Sequence, residues 1–417
     1  MNDLIYWIWL SLKCGYDTPT FTKLYSHFSS VEDIYNSTQE QLEQVGGLTP
    51  KLIDMLLNKE TESAYSILNK CKRMNFGILP FNDELYPSRL RTIKNPPVVL
   101  YYAGRLPEID NEVCIATVGT RTPTPYGCRC AYEISYDLAA SGAVIVSGMA
   151  FGIDSICHRA ALDAGGKTVA VFGCGLDIVY PKENQDLYKS LIAQGTVISE
   201  YAPGTKPTSY SFPQRNRIIS GMSLGTMLVE SKLKSGAMIT ARKTTEQGRD
   251  LFAVPGRVGE YNSMGPNSLI QDGAKPVSEA KDILKEYQFL YPEKIHTKAI
   301  NKKTFNIPDF NAKKKTASQN APSIIQREKR EYDETENTEN INETKKTNKK
   351  LTVQKNYDHL PEEQKNICNI LCLRGQMMSE EVALKTGLNI SDTMSALTIL
   401  EIQGIIRALP GGMYEII

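Results

Sequence analysis

The run Ser211 to Gly221, SFPQRNRIISG, places Arg215, Asn216 and Arg217 directly behind Phe212. Guanidinium groups hold phosphate oxygens through planar donor forks, an amide serves backbone or base edges, and an exposed ring offers a stacking surface. A single-stranded nucleic acid uses all three. The plain alternative makes Phe212 a core residue and the two arginines surface charges flanking a strand. Local charge favours the first reading. From Tyr201 to Arg257 the chain has 9 Lys or Arg and 3 acidic residues, although the whole chain balances 48 basic against 47 acidic side chains. Positive charge confined to one stretch suits a groove that follows a polyanion, and total charge cannot reveal it.

Glycine-rich loops add to this chemistry, because they let backbone N–H groups approach an anion and the following helix adds its dipole. Gly119-Thr120-Arg121, the stretch Gly148 to Asp154, and Gly173-Cys174-Gly175 are three such loops. Arg121 lies at the first, the Ser147-Gly148 turn forms the second, and Lys182 follows the third in YPKEN. In SGAMIT, Ser235, Gly236 and Thr240 can offer hydroxyls and amides to a phosphate.

The elements that must position these loops alternate in type. Strands are expected at 113–118, 143–147, 168–172, 196–199, 226–230 and 251–255. Helices are expected between them, as in YGCRCAYEISYDLAAS and DSICHRAALDAG. This is the pattern of a doubly wound parallel sheet, an extended Rossmann-like α/β fold, whose ligands bind beyond the carboxyl ends of the strands. The glycine-rich loops fall there.

Four segments follow from the patterning. Residues 1–75 read as short helices resembling a SAM-like or helix-hairpin-helix module, with Gly46-Gly47 breaking two helical patterns. Residues 76–290 hold the Rossmann-like domain. From 291 to 356 the chain has 15 basic and 9 acidic residues and few apolar ones, the composition of a disordered linker. Residues 357–417 return to order with the pattern of three helices and a β-hairpin, a winged-helix pattern. Its third helix has no Lys or Arg between Ile390 and Gly404, so it reads as a protein-contacting or weakly DNA-binding module.

With 417 residues the chain is long enough for several cores. Its nine cysteines are scattered without a CxxC pair, which points to a reducing cytoplasm and not to a disulfide framework. Cys128, Cys130, Cys157 and His158 match no zinc spacing, so no metal is expected. The apolar run LIYWIWLSL (4–12) is about half the length of a spanning helix, and only Met1, Asn2 and Asp3 precede it. Neither membrane insertion nor a signal peptide is expected. Asp154 and His158 share a helical face, which invites an acid/base role, but Asp154 is equally placed to cap its helix and no nucleophile accompanies the pair. GCGLDI lacks the third glycine of a dinucleotide fingerprint, with Ile178 in its place. No catalytic residue and no cofactor are expected.

VGTR (118–121), SGMAFGIDSICHRAAL (147–162), GCGLDIVYPKEN (173–184), FPQRNRIISG (212–221), SGAMITARKTTEQGRDLFAVPG (235–256) and GPNSLIQDGA (265–274) together resemble the DNA-processing protein A family, also called Smf. The resemblance implies a non-catalytic homodimer that binds and protects incoming single-stranded DNA and loads RecA recombinase during natural transformation. At the family's motif positions the strand is gripped by the residues that here are Arg121, Lys182, Phe212, Arg215 and Arg217. The chain departs from the pattern at Ala237 and Met238, where Ser and Leu are more usual, and at Ser231. It has Ser209 where some relatives have a basic residue, and Lys206 lies nearby. Two rivals use a similar sheet: a nucleotide-cleaving protein of the phosphoribohydrolase type and a mononucleotide sensor. The PGGxGTxxE signature of the first is missing.

Overall fold

The computed structural model describes residues 2–296, 360–374, 377–403, 405–409 and 413–416. They fall into two compact units, divided between Glu339 and Asn340. In the first unit, six helices precede the sheet: α1 (Asn2–Cys14), α2 (Thr20–His27), α3 (Val31–Asn36), α4 (Gln39–Gln44), α5 (Pro50–Leu57) and α6 (Glu62–Met74). Their ends follow local chemistry. Thr38 and Gln41 form a reciprocal capping box on α4, Thr49 caps α5 ahead of Pro50, and Asn75 closes α6 with φ of 54°.

Nine strands form one sheet: β1 (Gly77–Pro80), β2 (Val99–Gly104), β3 (Cys114–Val118), β4 (Val144–Ser147), β5 (Thr168–Phe172), β6 (Thr196–Ser199), β7 (Gly225–Leu228), β8 (Asp250–Ala253) and β9 (Lys275–Pro276). Their spatial order is β1-β2-β6-β5-β4-β3-β7-β8-β9. β3 to β9 are mutually parallel, and the six strands expected from the sequence are all present. The sheet is not wholly parallel, however. β1 pairs antiparallel with β2, and β2 antiparallel with β6, so two strands unforeseen in the sequence extend one edge.

Side chains alternate between the two faces, as the pleat requires. Cys114, Ala116 and Val118 of β3 join Val144, Val146, Val169, Val171 and Ile198 on one face. That face packs on Ile218 and Ile219 of α11 (Ser211–Gly221) and Leu90 of α7 (Ser88–Arg91). The opposite face is covered at one end by α8 (Pro125–Ala140), α9 (Ile153–Asp163) and α14 (Ala280–Tyr287). At the other end it meets α10 (Gln185–Gln194) and the N-terminal helices. Trp7, Trp9 and Leu24 lie in the same buried cluster as Tyr101, Ala170, Phe172 and Val197. The segment 1–75, expected as a module of its own, therefore shares a core with the sheet.

Two further helices complete the first unit, α12 (Gly236–Glu246) and α13 (Met264–Gln271). The second unit holds α15 (Glu362–Arg374), α16 (Ser379–Thr386) and α17 (Ile390–Ile402). Its short antiparallel sheet joins β10 (Met377–Met378), β11 (Ile406–Leu409) and β12 (Met413–Ile416) in the order β10-β12-β11. Three helices and a hairpin are the elements its sequence pattern implies. Apart from residues 291–296, the expected linker at 291–356 lies outside the described residues. Among the described residues no helix is long and apolar enough to cross a membrane.

Candidate nucleic-acid interface

From β3 the chain steps through β4, β5 and β6 in one direction and then places β7, β8 and β9 in the other. The order reverses between β3 and β7, and the loops following these strands lie at their carboxyl ends, where such sheets bind ligands. Glu230 fixes this point. Its backbone oxygen accepts from the Thr120 N–H at 2.7 Å, and its buried carboxylate accepts from the Thr124 N–H at 2.8 Å and the Thr124 hydroxyl at 2.5 Å. Gly127 allows this closeness, since a Cβ there would lie 2.3 Å from the carboxylate carbon. With its loop held in this way, Arg121 is exposed.

Arg215 reaches the neighbouring strand ends from α11. Its Nη1 donates to the Gly148 carbonyl at 2.9 Å and to the Val171 carbonyl, and its Nε donates to Asn216 Oδ1 at 3.2 Å. Asn216 Nδ2 in turn donates to the Gly236 carbonyl at 3.3 Å, tying α11 to the start of α12. Burial lowers the Arg215 pKa, the adjacent Asp154 carboxylate raises it, and Arg121 lowers it further. Two cations and one buried anion thus meet at this end of β3, β4 and β5.

Asp154 is occupied with the backbone. Its Oδ2 accepts from the Gly148 N–H at 3.1 Å and the Ala150 N–H at 3.4 Å, which closes the loop ahead of α9. Burial raises its pKa, and Arg215 and the two N–H donors pull it back down. His158 Nδ1 lies 2.7 Å from Thr168 Oγ1, and burial followed by the charge of Arg215 drives its pKa down to about 3. Each member of this pair has a structural partner of its own.

Lys182 opens a short 3-10 turn after β5 and is exposed. The turn is anchored by buried Asn184, whose Nδ2 donates to the Met149 carbonyl and to Ser155 Oγ, each at 2.9 Å. Two residues before Lys182, the half-exposed Tyr180 ring faces Phe212 with centroids 5.1 Å apart and planes tilted by 31°. Phe212 is half-buried and lies over Gly173, where a Cβ would come within 2.9 Å of its ring. An aromatic pair therefore stands beside an exposed ammonium.

The structure brings Arg121, Gly148, Lys182, Phe212, Arg215 and Asn216 to the carboxyl ends of the strands, with Ser235 and Gly236 at the start of α12. Ser235 caps that helix by accepting from the Met238 N–H at 3.3 Å, and Gly236 is open. Five of the expected residues are buried, Ser147, Gly148, Arg215, Arg217 and Thr240, and Arg215 is only 5% exposed. Ser147 is fully buried, and its hydroxyl donates to the Thr117 carbonyl at 2.6 Å. Thr240 is buried with its hydroxyl on the Gly236 carbonyl at 3.4 Å.

Arg217 is the main correction. It is 4% exposed, and its two terminal nitrogens donate to the two oxygens of Glu200 at 2.8 and 2.7 Å. Its Nε donates to the Asn95 carbonyl at 3.0 Å and lies 3.3 Å from the Asp17 carboxylate. Arg217 thus pins the N-terminal helices to the sheet, and its fork is already filled. The reason is periodicity: α11 is a helix, so Arg215 and Arg217 two residues apart point to different surroundings. Sequence reasoning also passed over Tyr180, Tyr210 and Glu230. Tyr180 and Tyr210, the latter 72% exposed, stood within or beside motifs quoted for their charges.

The sequence profile of the family described as DNA recombination-mediator protein A matches residues 77–288, the span of the sheet and its loops. Protein Smf of Synechocystis is 36% identical over 287 residues, covering 68% of this chain and 72% of its own length. DNA processing protein DprA of Bacillus subtilis is 39% identical over 234 residues, covering 55% of this chain and 79% of its own. The crystal structure of DNA processing protein A from Streptococcus pneumoniae superimposes with a TM-score of 0.60 at 34% identity, over 68% of this chain and 97% of that one. The chain belongs to the DNA recombination-mediator protein A family.

Proposed function

We propose that this protein binds single-stranded DNA, with little sequence preference, along the carboxyl ends of its parallel strands, and passes the strand to RecA recombinase during natural transformation. The observation that carries the binding site is the grouping of exposed Arg121 and Lys182 with the Tyr180–Phe212 ring pair. Phosphates take the cations and bases take the rings, a grip that reads no base edges in a duplex groove. Arg215 acts from beneath, holding the Gly148 loop and adding positive charge. Ser235 and Gly236 supply the exposed start of α12 as a further anion contact.

The Bacillus subtilis and Streptococcus pneumoniae relatives are named as DNA processing proteins, and handover to RecA, a cytoplasmic location and a homodimeric state are what the family resemblance implies. The chain acts by binding and not by turnover, since Asp154 and His158 are both held in structural roles. The C-terminal unit, read from its sequence pattern as a winged helix, acts as a protein-contacting or weakly DNA-binding module. Titration of labelled oligonucleotides, single- and double-stranded, across lengths and salt tests the binding. Tighter binding of single strands, falling steeply with salt and growing over several nucleotides, is expected. Equal or tighter binding of a matching duplex would overturn it, and saturation by one mononucleotide would favour the sensor.

A further inference from the structure

Beyond the switch point, the rim continues into a second group of exposed rings and cations. The loop after β7 presents Lys232, Leu233 and Lys234 outward, and the segment after β8 presents Arg257, Val258 and Tyr261. Lys232 Nζ lies 4.7 Å from the centroid of the Tyr261 ring, which is 62% exposed. Tyr126, at the start of α8, is 47% exposed and donates its hydroxyl to the Pro255 carbonyl at 2.7 Å.

These residues sit on a fixed frame. The Ser231 N–H donates to the Asn262 carbonyl at 2.7 Å, and the Gly265 N–H donates to the Ser231 carbonyl at 2.9 Å. Asn267 exchanges two hydrogen bonds with the Gly256 backbone at 3.1 and 3.0 Å. Asn262 Nδ2 donates to the Thr122 carbonyl at 3.1 Å. That bond joins the two loops: Tyr261 precedes one partner and Arg121 precedes the other. The ring is therefore held next to the loop that carries Arg121.

We infer that Lys232 and Tyr261 form a second base-stacking platform that lengthens the single-strand track across the β3/β7 switch point. The inference rests on the single-strand reading above. A ring with a cation above it is poised for a nucleotide, because the ring takes a base and the ammonium takes its phosphate. Glu260 is the one acidic side chain exposed within these two segments, against Lys232, Lys234 and Arg257. A second copy of the chain fits less well: a two-fold contact sets this surface against itself and opposes the same lysines.

The test compares the full-length wild type with Tyr261→Ala, Tyr261→Phe and Lys232→Ala on oligothymidylates of about 4 and about 16 nucleotides, the bounds of common site sizes. Tyr261→Ala is expected to weaken the longer strand on the order of ten-fold while leaving the shorter one unchanged, and Tyr261→Phe to bind like wild type. Lys232→Ala should lower the salt slope for the longer strand only. If Tyr261→Ala binds both lengths like wild type, the platform is wrong and the single-strand reading stands. If the variant changes only the oligomeric state in sedimentation, the surface pairs copies of the chain. If wild type binds neither length, both readings fall.

Discussion

The Nη1 of Arg215 donates to the carbonyl of Gly148 at 2.9 Å, and a Cβ on Gly148 would stand 2.4 Å from that same nitrogen. The glycine is thus the space into which the guanidinium fits. Because Arg215 is also held by Val171 and Asn216, the side chain cannot move aside without losing buried bonds.

Gly148→Ala is accordingly expected to destabilise the fold by about 1–3 kcal/mol, the range for overpacking a tight site. Chemical denaturation should show a lower midpoint with an unchanged slope. Strand affinity should fall in parallel, since the loop between Arg121 and Arg215 shifts. A variant as stable as wild type would mean that Arg215 is not confined by this glycine.

Arg217 should behave as a structural residue. Removing one partner of a buried ion pair leaves the other charge unmatched, at about 3–5 kcal/mol. Arg217→Ala and Glu200→Ala are both expected to reduce stability by that order. Each should retain its single-strand affinity in whatever fraction remains folded. Loss of DNA binding by a fully folded Arg217→Ala protein would return this residue to the interface.

The contrast between these two arginines marks what the sequence discloses. The parallel core and its loops were legible because hydrophobic runs of four to five residues alternated with helical patterns and ended in glycine. Arg121 was legible because it follows such an ending two residues on, and Lys182, which opens a 3-10 turn further along the same strand-end segment, because of the YPKEN motif. Which way Arg217 faces was not legible, since it depends on Glu200, Asn95 and Asp17, which are distant in sequence. β1 and β2 were missed for a related reason: both lie outside the alternation, and they join the sheet antiparallel, β2 on β6 and β1 on β2. The ring pair was overlooked because a 3-10 turn, α10 and β6 separate Tyr180 from the helix that carries Phe212.

His158 supplies a pH dependence. Its folded pKa of about 3 lies below the ordinary histidine value near 6.5, so between these limits the unfolded chain binds the extra proton. Stability from this group is complete above about pH 6.5 and is lost as pH falls toward 3, by up to about 1.4 kcal/mol per pH unit. Asp154 works against it, because its raised pKa favours the folded state as pH falls. The difference between wild type and His158→Gln isolates the histidine. Urea melts at pH 5 and pH 7.5 should show a smaller acid loss in the variant, and equal losses would contradict the buried neutral ring.

Arg121→Ala and Lys182→Ala each remove an exposed cation from a loop, so both should fold like wild type. Each lost phosphate contact should lower the slope of log affinity against log salt by about 0.7 on single strands. The double variant should lose about twice that. Unchanged slopes across several salt concentrations would move the interface elsewhere on the molecule.

The ring pair separates stacking from packing. Tyr180 is half-exposed, so Tyr180→Ala should leave the melting temperature nearly unchanged and weaken single-strand binding by about 1–3 kcal/mol if a base stacks there. Phe212 lies half-buried over Gly173 and against Tyr180, so Phe212→Ala should cost both affinity and stability. Leucine at Phe212 fills the space without offering an aromatic face. Phe212→Leu should therefore restore most of the stability while leaving affinity low. Recovery of both properties by leucine would show that the ring serves the core alone and that the bases stack on other residues.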